Sequence, residues 1–286
     1  MMNKISSFVA LCRPEQYYKN IVIFLAIFFS GNIFKIDYIL LVFFGFISLS
    51  LISSVNYILN DIVDKKKDKL NKEKSCRPIA KGKIKILEAI ILAFVLSLAS
   101  LILAFFLNPQ FLIALIAFFI ISLLYSLVLK NEVFIDIISI SINFVIRAIS
   151  GALIIQVWIS PWLIIGTFFL ALLIATGKRK SELIFLGKNS GDHRPVLRKY
   201  SNEIINSLVN ITATALILSY SLYCFLGTYQ NLLFTLPIVF YILMRYLYLI
   251  YSGSEKARLT NRIFADYNIS IAIIIYIITA ALVIYA

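Results

Sequence analysis

From Ile86 to Leu107 the chain runs through 22 residues with Glu88 as its only charge. Few folds accept such a run. About 20 apolar residues wound as an α-helix rise roughly 30 Å, the thickness of a hydrocarbon core. In lipid a helix is also one of the few structures that satisfies every backbone N–H and C=O internally. Reading apolar runs against polar punctuation predicts nine spans, at about 17–34, 37–59, 86–107, 110–129, 133–158, 161–177, 203–227, 231–251 and 267–285. The predicted fold class is therefore an all-α polytopic membrane protein with nine transmembrane helices, forming a single domain over residues 1–286.

Composition closes the other routes. With 61% hydrophobic and 14% charged residues, the chain lies far from soluble domains, about a quarter of whose residues are charged. Three cysteines, Cys12, Cys76 and Cys224, supply no disulfide framework, and Cys12 and Cys76 are expected as free thiols in a reducing cytosol. A net charge of +13 suggests nucleic acid in a soluble protein, but in a membrane protein it reports sidedness. With the N-terminus inside, three basic residues fall between Lys4 and Lys19 and ten between Lys65 and Lys85. Lys130 follows, then seven between Lys178 and Lys199, then Lys256, Arg258 and Arg262, which makes 24 of 27 on that face. Lys35 alone falls outside, and Arg147 and Arg245 lie within spans. Asn108-Pro109 and Trp158-Ile159-Ser160-Pro161-Trp162 read as short outer turns. The apolar stretch Phe8–Leu11 is broken at once by Arg13-Pro14-Glu15, so no cleaved signal is expected. Chemistry is expected on the cytoplasmic face, in the segments at about 60–85 and 178–202. No nucleic-acid partner is expected.

The sharpest chemical signal is Asn60-Asp61-Ile62-Val63-Asp64-Lys65-Lys66-Lys67-Asp68. On a helix continuing from the second span, Asp64 and Asp68 project within about 60° of Asp61. Three converging carboxylates suit a cation, and Mg²⁺ commonly completes its oxygen shell with substrate phosphate. A charged, solvated helix end is the plainer alternative. The spacing, the membrane exit and the following Arg77-Pro78 together favour a metal site.

The fifth span carries a polar stripe, Glu132, Asp136, Asn143 and Arg147, all within about 60° on a helical wheel. Ionisable groups in a span face the bundle interior or a wet cavity, so Asp136 is expected to face the site. Arg147 lies roughly 22 Å into the span, where a structural pairing and a direct ligand contact are equally open. His193, the only histidine, is expected to be solvated.

The Asp motif resembles the first Asp-rich motif of the UbiA superfamily of intramembrane prenyltransferases, as does the span count. That superfamily carries a second Asp-rich motif after its sixth helix. Here that region reads Gly177-Lys178-Arg179-Lys180-Ser181-Glu182-Leu183. Further stretches look like the polyprenyl-phosphate phosphoribosyltransferase branch: Arg13-Pro14-Glu15-Gln16-Tyr17-Tyr18-Lys19-Asn20, Tyr125 through Lys130, and Ile146-Arg147-Ala148-Ile149-Ser150-Gly151. The branch usually has His and Trp where Glu15 and Tyr17 stand.

The resemblance implies a UbiA-like bundle with a cytoplasm-facing site. It implies Mg²⁺-dependent transfer of 5-phosphoribosyl from phosphoribosyl pyrophosphate to a polyprenyl phosphate, with release of pyrophosphate, in cell-envelope biosynthesis. It also implies metal and catalytic roles for Asp61, Asp64 and Asp68. Substrate contacts fall at Lys19, Asn20, Asn60, Arg77, Tyr125, Lys130, Asp136, Arg147, Lys178, Arg179 and Glu182. Cations at Lys178 and Arg179 suit direct phosphate contact. Two alternatives remain at this point, a conventional prenyltransferase moving the isoprenoid itself and a lipid or phosphometabolite transporter.

Overall fold

A computed structural model describes residues 4–70, 74–186 and 195–286. Every long element among them is helical. Among the described residues eight helices are long and apolar enough to cross a membrane, and they match the predicted spans from the second onward. The chain divides into two compact units, Met1–Leu129 with Ile146–Trp158, and Lys130–Val145 with Ile159–Ala286.

The first unit opens with α1 (Lys4–Cys12), a 3-10 helix (Pro14–Phe24) and the short α2 (Leu25–Phe29). The first predicted span, 17–34, is thus no long α-helix. Arg13 adopts a left-handed φ of 53°, Pro14 follows, and the backbone tightens into eleven residues of 3-10 helix. At about 2.0 Å rise per residue for the 3-10 part and 1.5 Å for α2, these sixteen residues cover roughly 30 Å. The segment lies hard against α7 (Ile135–Ile155): a Cβ on Gly151 would stand 2.0 Å from the Ile23 carbonyl oxygen.

The long α3 (Ile36–Val63) is the spine of this unit, followed by α4 (Lys65–Leu70), α5 (Ile86–Leu107) and α6 (Pro109–Leu127). Small residues let α3 approach its neighbours, as packing in lipid favours. Ser48 and Ser100 each donate to the other's carbonyl, at 3.0 and 2.8 Å, across α3 and α5. The turn into α6 is built by Asn108, whose Oδ1 accepts from the Gln110 and Phe111 amides, with Pro109 at the first helical position. The core gathers Leu11, Ile23, Leu49, Ile52, Ile58, Leu115 and Phe118. Phe94, Leu98, Phe105 and Phe106 on α5 stay exposed, as a lipid-facing surface requires.

The second unit holds the first half of α7, α8 (Pro161–Leu186), α9 (Asn202–Leu226), α10 (Leu236–Tyr251), α11 (Glu255–Arg258) and α12 (Tyr267–Tyr285). Its core joins Leu173, Val209, Leu243, Tyr246, Ile250 and Ile269. The sequence ends the sixth span near 177, but α8 runs on to Leu186. The basic stretch from Lys178 is therefore helix rather than loop. Lys, Arg, Glu and Leu are strong helix formers, and Glu182 sits at i+4 from Lys178 and i+3 from Arg179, where it pairs with both.

Asp266, just before α12, caps that helix by accepting from the Ile269 amide at 3.2 Å. It also accepts from Arg245 at 3.1–3.2 Å and from Lys256 at 3.2 Å. The Arg245 hydrogen bonds, with Lys256 and the Ile269 amide, hold its carboxyl down at about 2. A depressed carboxyl adds stability above its unfolded pKa, near 4 for aspartate, and loses it as pH falls towards the folded value. The melting-temperature gap between wild type and Asp266→Asn in detergent is therefore expected to be full above about pH 4 and to close towards pH 2. A gap independent of pH would refute this.

Candidate active site

In the first unit the acidic motif becomes a carboxylate–guanidinium cluster. Asp61, on the last full turn of α3, is buried, as is Asp68 on α4. Arg77 Nη1 bridges them, 3.0 Å from Asp61 Oδ1 and 2.6 Å from Asp68 Oδ2. Arg13 reaches back from the N-terminus to Asp61 Oδ1. The helix expected to carry all three aspartates breaks at Asp64, the C-cap of α3. The Asp64 amide donates to the Asn60 carbonyl at 2.9 Å, and the Asp68 amide to the Asp64 carbonyl at 2.8 Å. Asp61 and Asp68 thus meet through Arg77 rather than along one helical face, with Asp64 at the bend between them.

No group of three or more His, Cys, Asp or Glu side chains placed to hold a metal occurs among the described residues. Two carboxylates do converge, and Asp61 Oδ2 is buried without a hydrogen-bond partner. Mg²⁺ is characteristically held by one or two carboxylates plus waters and substrate phosphates. The donor set fits that ion.

Deeper in the same unit, Asn20 and Arg147 form a buried pair. Arg147 Nε donates to Asn20 Oδ1 at 2.8 Å, and its guanidinium carbon lies 4.6 Å from the Phe118 ring centroid. Asn20 Nδ2 donates to Ser50 Oγ at 3.0 Å. Arg147 thus has a protein partner in Asn20. Lys19 lies with its ammonium 5.9 Å from the Tyr18 ring centroid. Tyr17, standing where the resembling branch has Trp, shares a 2.8 Å hydrogen bond with Ser54. Tyr125 is partly buried near the end of α6.

The second unit carries its own ionic network. Asp136 is fully buried: Oδ2 accepts from Arg179 Nε and Oδ1 from the Tyr200 hydroxyl, each at 2.8 Å. Tyr200 in turn accepts from the Phe134 amide at 2.9 Å. Burial and the Asp136 carboxylate push the Tyr200 phenol up, so it remains a proton donor to Asp136 at any physiological pH. Arg179 Nη1 reaches Glu182 Oε2 at 3.3 Å. Arg179 is thus built into the protein, while the Lys178 side chain stays a third exposed, with Nζ 4.0 Å from Glu182. Asn143, from the predicted stripe, is buried with Oδ1 unpartnered. Glu132 lies outside the helix, exposed and 3.8 Å from Lys199. Lys130 sits in a partly exposed 3-10 turn, Leu129–Asn131. His193 lies outside the described residues.

Two partners of these carboxylates escape a sequence reading. Arg13 stands 48 positions from Asp61, and although it opens a stretch that resembles the branch, nothing in that stretch points to the carboxylate it meets. Tyr200 stands 64 positions from Asp136, with no local signal at all.

The first unit thus ends α3 in an acidic cluster bridged by arginine, and the second carries a basic stretch within α8, in a chain whose long helices are apolar enough to cross a membrane. The UbiA prenyltransferase family matches residues 20–269, and the chain belongs to that family. It is similar to decaprenyl-phosphate phosphoribosyltransferases of Mycolicibacterium smegmatis, at 30% identity over 82% of this chain and 75% of that one. The corresponding protein of Mycobacterium tuberculosis is 29% identical over 78% and 75%. Among solved structures, a UbiA homologue from Archaeoglobus fulgidus bound to GPP and Mg²⁺ superposes with a TM-score of 0.76, at 19% identity, over 98% of this chain and all of that one. A digeranylgeranylglyceryl phosphate synthase superposes at 0.69 with 18% identity, over 99% of each. These two share the fold.

Proposed function

We propose that the protein transfers 5-phosphoribosyl from phosphoribosyl pyrophosphate to a polyprenyl phosphate, releasing pyrophosphate, from a site on the cytoplasmic side. The observation that carries this reading is the basic stretch within α8. Lys178, Arg179 and Lys180 stand where a conventional prenyltransferase would hold its second acidic motif, and the relatives named as phosphoribosyltransferases support it.

In the reaction a phosphate oxygen of the acceptor attacks C1 of the ribose. A C1–O bond forms, the bond to pyrophosphate breaks, and pyrophosphate leaves with the electron pair. The acceptor monoester is largely dianionic near neutral pH, so no strong base is needed. Asp61 and Asp68, with Asp64 at the bend, would hold Mg²⁺, whose charge neutralises the departing pyrophosphate when bound. Arg77 and Arg13 fix the carboxylates in place and add positive charge beside them. Asn60, Lys19, Asn20, Tyr125 and Lys130 are assigned to substrate contact by their motifs. Lys178, a third exposed, supplies a cation for a substrate phosphate. Arg179 orients Asp136 and Glu182. Positioning and charge complementarity do most of the work.

Purified protein with radiolabelled phosphoribosyl pyrophosphate, Mg²⁺ and a polyprenyl phosphate is expected to yield an organic-extractable labelled product. Label passing only from a prenyl pyrophosphate would reject this reading in favour of isoprenoid transfer. For sidedness, Lys188→Cys is expected to react with an impermeant thiol reagent only from the cytoplasmic face. Labelling from outside would invert the topology.

A further inference from the structure

Tyr57 has no role in the chemistry above, yet its position on α3 is telling. At 100° per residue it projects within about 40° of Asp61 and 20° of Asp64, and it lies about 6 Å further into the membrane than Asp61. The Arg13 guanidinium carbon lies 5.2 Å from its ring centroid. Arg147 is held through Asn20 against Ser50, which lies two turns below Tyr57 on the same face of α3. The side chain is only partly buried, and no described residue hydrogen-bonds its hydroxyl.

The two guanidiniums are held by different means. Arg147 is tied to the neutral Asn20 and stacked over Phe118. Arg13 shares Asp61 with Arg77, from a left-handed backbone that residues other than glycine seldom adopt. Strained backbone of this kind is found where a side chain must be presented to a ligand.

We propose that Tyr57, flanked by Arg13 and Arg147, binds a phosphate monoester one helical turn beneath the Asp61–Asp68 carboxylates. The phenol donates to a phosphate oxygen, and the guanidiniums supply the charge and planar donor geometry that phosphate takes. The inference rests on the phosphoribosyl reading for its two natural ligands, since the 5-phosphate of the donor and the phosphate of the lipid acceptor are both monoesters.

The test is thermal melting of the detergent-solubilised protein with ribose 5-phosphate or with a short-chain prenyl monophosphate, for wild type and Tyr57→Phe. Unliganded Tyr57→Phe is expected to melt with the wild type, because no described residue hydrogen-bonds the lost hydroxyl. At least one monoester is expected to raise the wild-type Tm. Its apparent affinity is expected to fall about tenfold or more in Tyr57→Phe, as for a lost hydrogen bond to a charged group. The ligand that shows the loss identifies the source of the phosphate. In turnover the same substrate's KM should rise with little change in kcat. Should Tyr57→Phe fail to fold, Arg13→Lys, which keeps charge but loses the planar fork, is expected to show the same loss. Equal affinities in wild type and variant, or no binding of either monoester to wild type, would overturn the proposal. Wild type that binds monoesters through Tyr57 yet takes no label from phosphoribosyl pyrophosphate would reject the phosphoribosyl reading and leave this site standing.

Discussion

Asp61→Asn is expected to lower turnover at least about 100-fold, the scale on which removal of one preorganised electrostatic contact to a reacting group acts. Asp61 is the carboxylate on which Arg13 and Arg77 both converge, and its Oδ2 is a buried oxygen with no hydrogen-bond partner among the described residues. Substitution by asparagine keeps the shape and removes the charge. Asp68→Asn is expected to act in the same direction, since Arg77 then loses its 2.6 Å contact. Both variants should remain folded in detergent, because Arg13 and Arg77 keep 19% of their side chains exposed and asparagine retains an oxygen to accept from them. Near-normal turnover in both, measured as pyrophosphate release, would remove the metal-site assignment.

The second large effect is on stability. Arg179 is 2% exposed and Asp136 fully buried, so removing one partner strands the other. Breaking such a pair costs about 3–5 kcal/mol. Asp136→Leu and Arg179→Met are each expected to melt far below wild type. The double variant should recover much of the loss, because an apolar pair of similar volume leaves no uncompensated charge. Lys178→Ala, one residue away but a third exposed, is expected to leave melting unchanged and to raise KM for a phosphorylated substrate. If both single variants at 136 and 179 melt with the wild type, the network is not structural.

The spans from the second onward were legible because apolar runs in lipid permit one backbone solution. The first was not, since an apolar run shows that a segment can cross lipid but not whether it winds at 3.0 or 3.6 residues per turn. What separates them here is the approach of the Ile23 carbonyl to Gly151, a contact made across more than a hundred positions. The extension of α8 beyond Gly177 was obscured by charge, which reads as loop although Lys178, Arg179 and Glu182 are spaced for helical pairing. In the site, the acidic motif announced itself by spacing alone. Its arginine partner at position 13, and the locking of Asp136 by Arg179 and Tyr200, depend on tertiary contacts that no local pattern encodes.

The seat of Ile23 between two glycines has a consequence for how this protein can vary. A Cβ on Gly45 would lie 2.3 Å from Ile154 Cδ1 and 3.2 Å from Ile23 Cδ1, whereas one on Gly151 would meet backbone oxygen at 2.0 Å. The first clash falls on the far ends of side chains that can be shortened, so a larger residue at 45 has compensating changes within reach at 154 and 23. The second falls on a carbonyl that every amino acid presents. No change of residue type at position 23 relieves it, and position 151 is closed to mutational drift unless the 3-10 segment itself moves. Two glycines facing one isoleucine therefore differ in evolvability: the first is negotiable, and the second is fixed by the main chain.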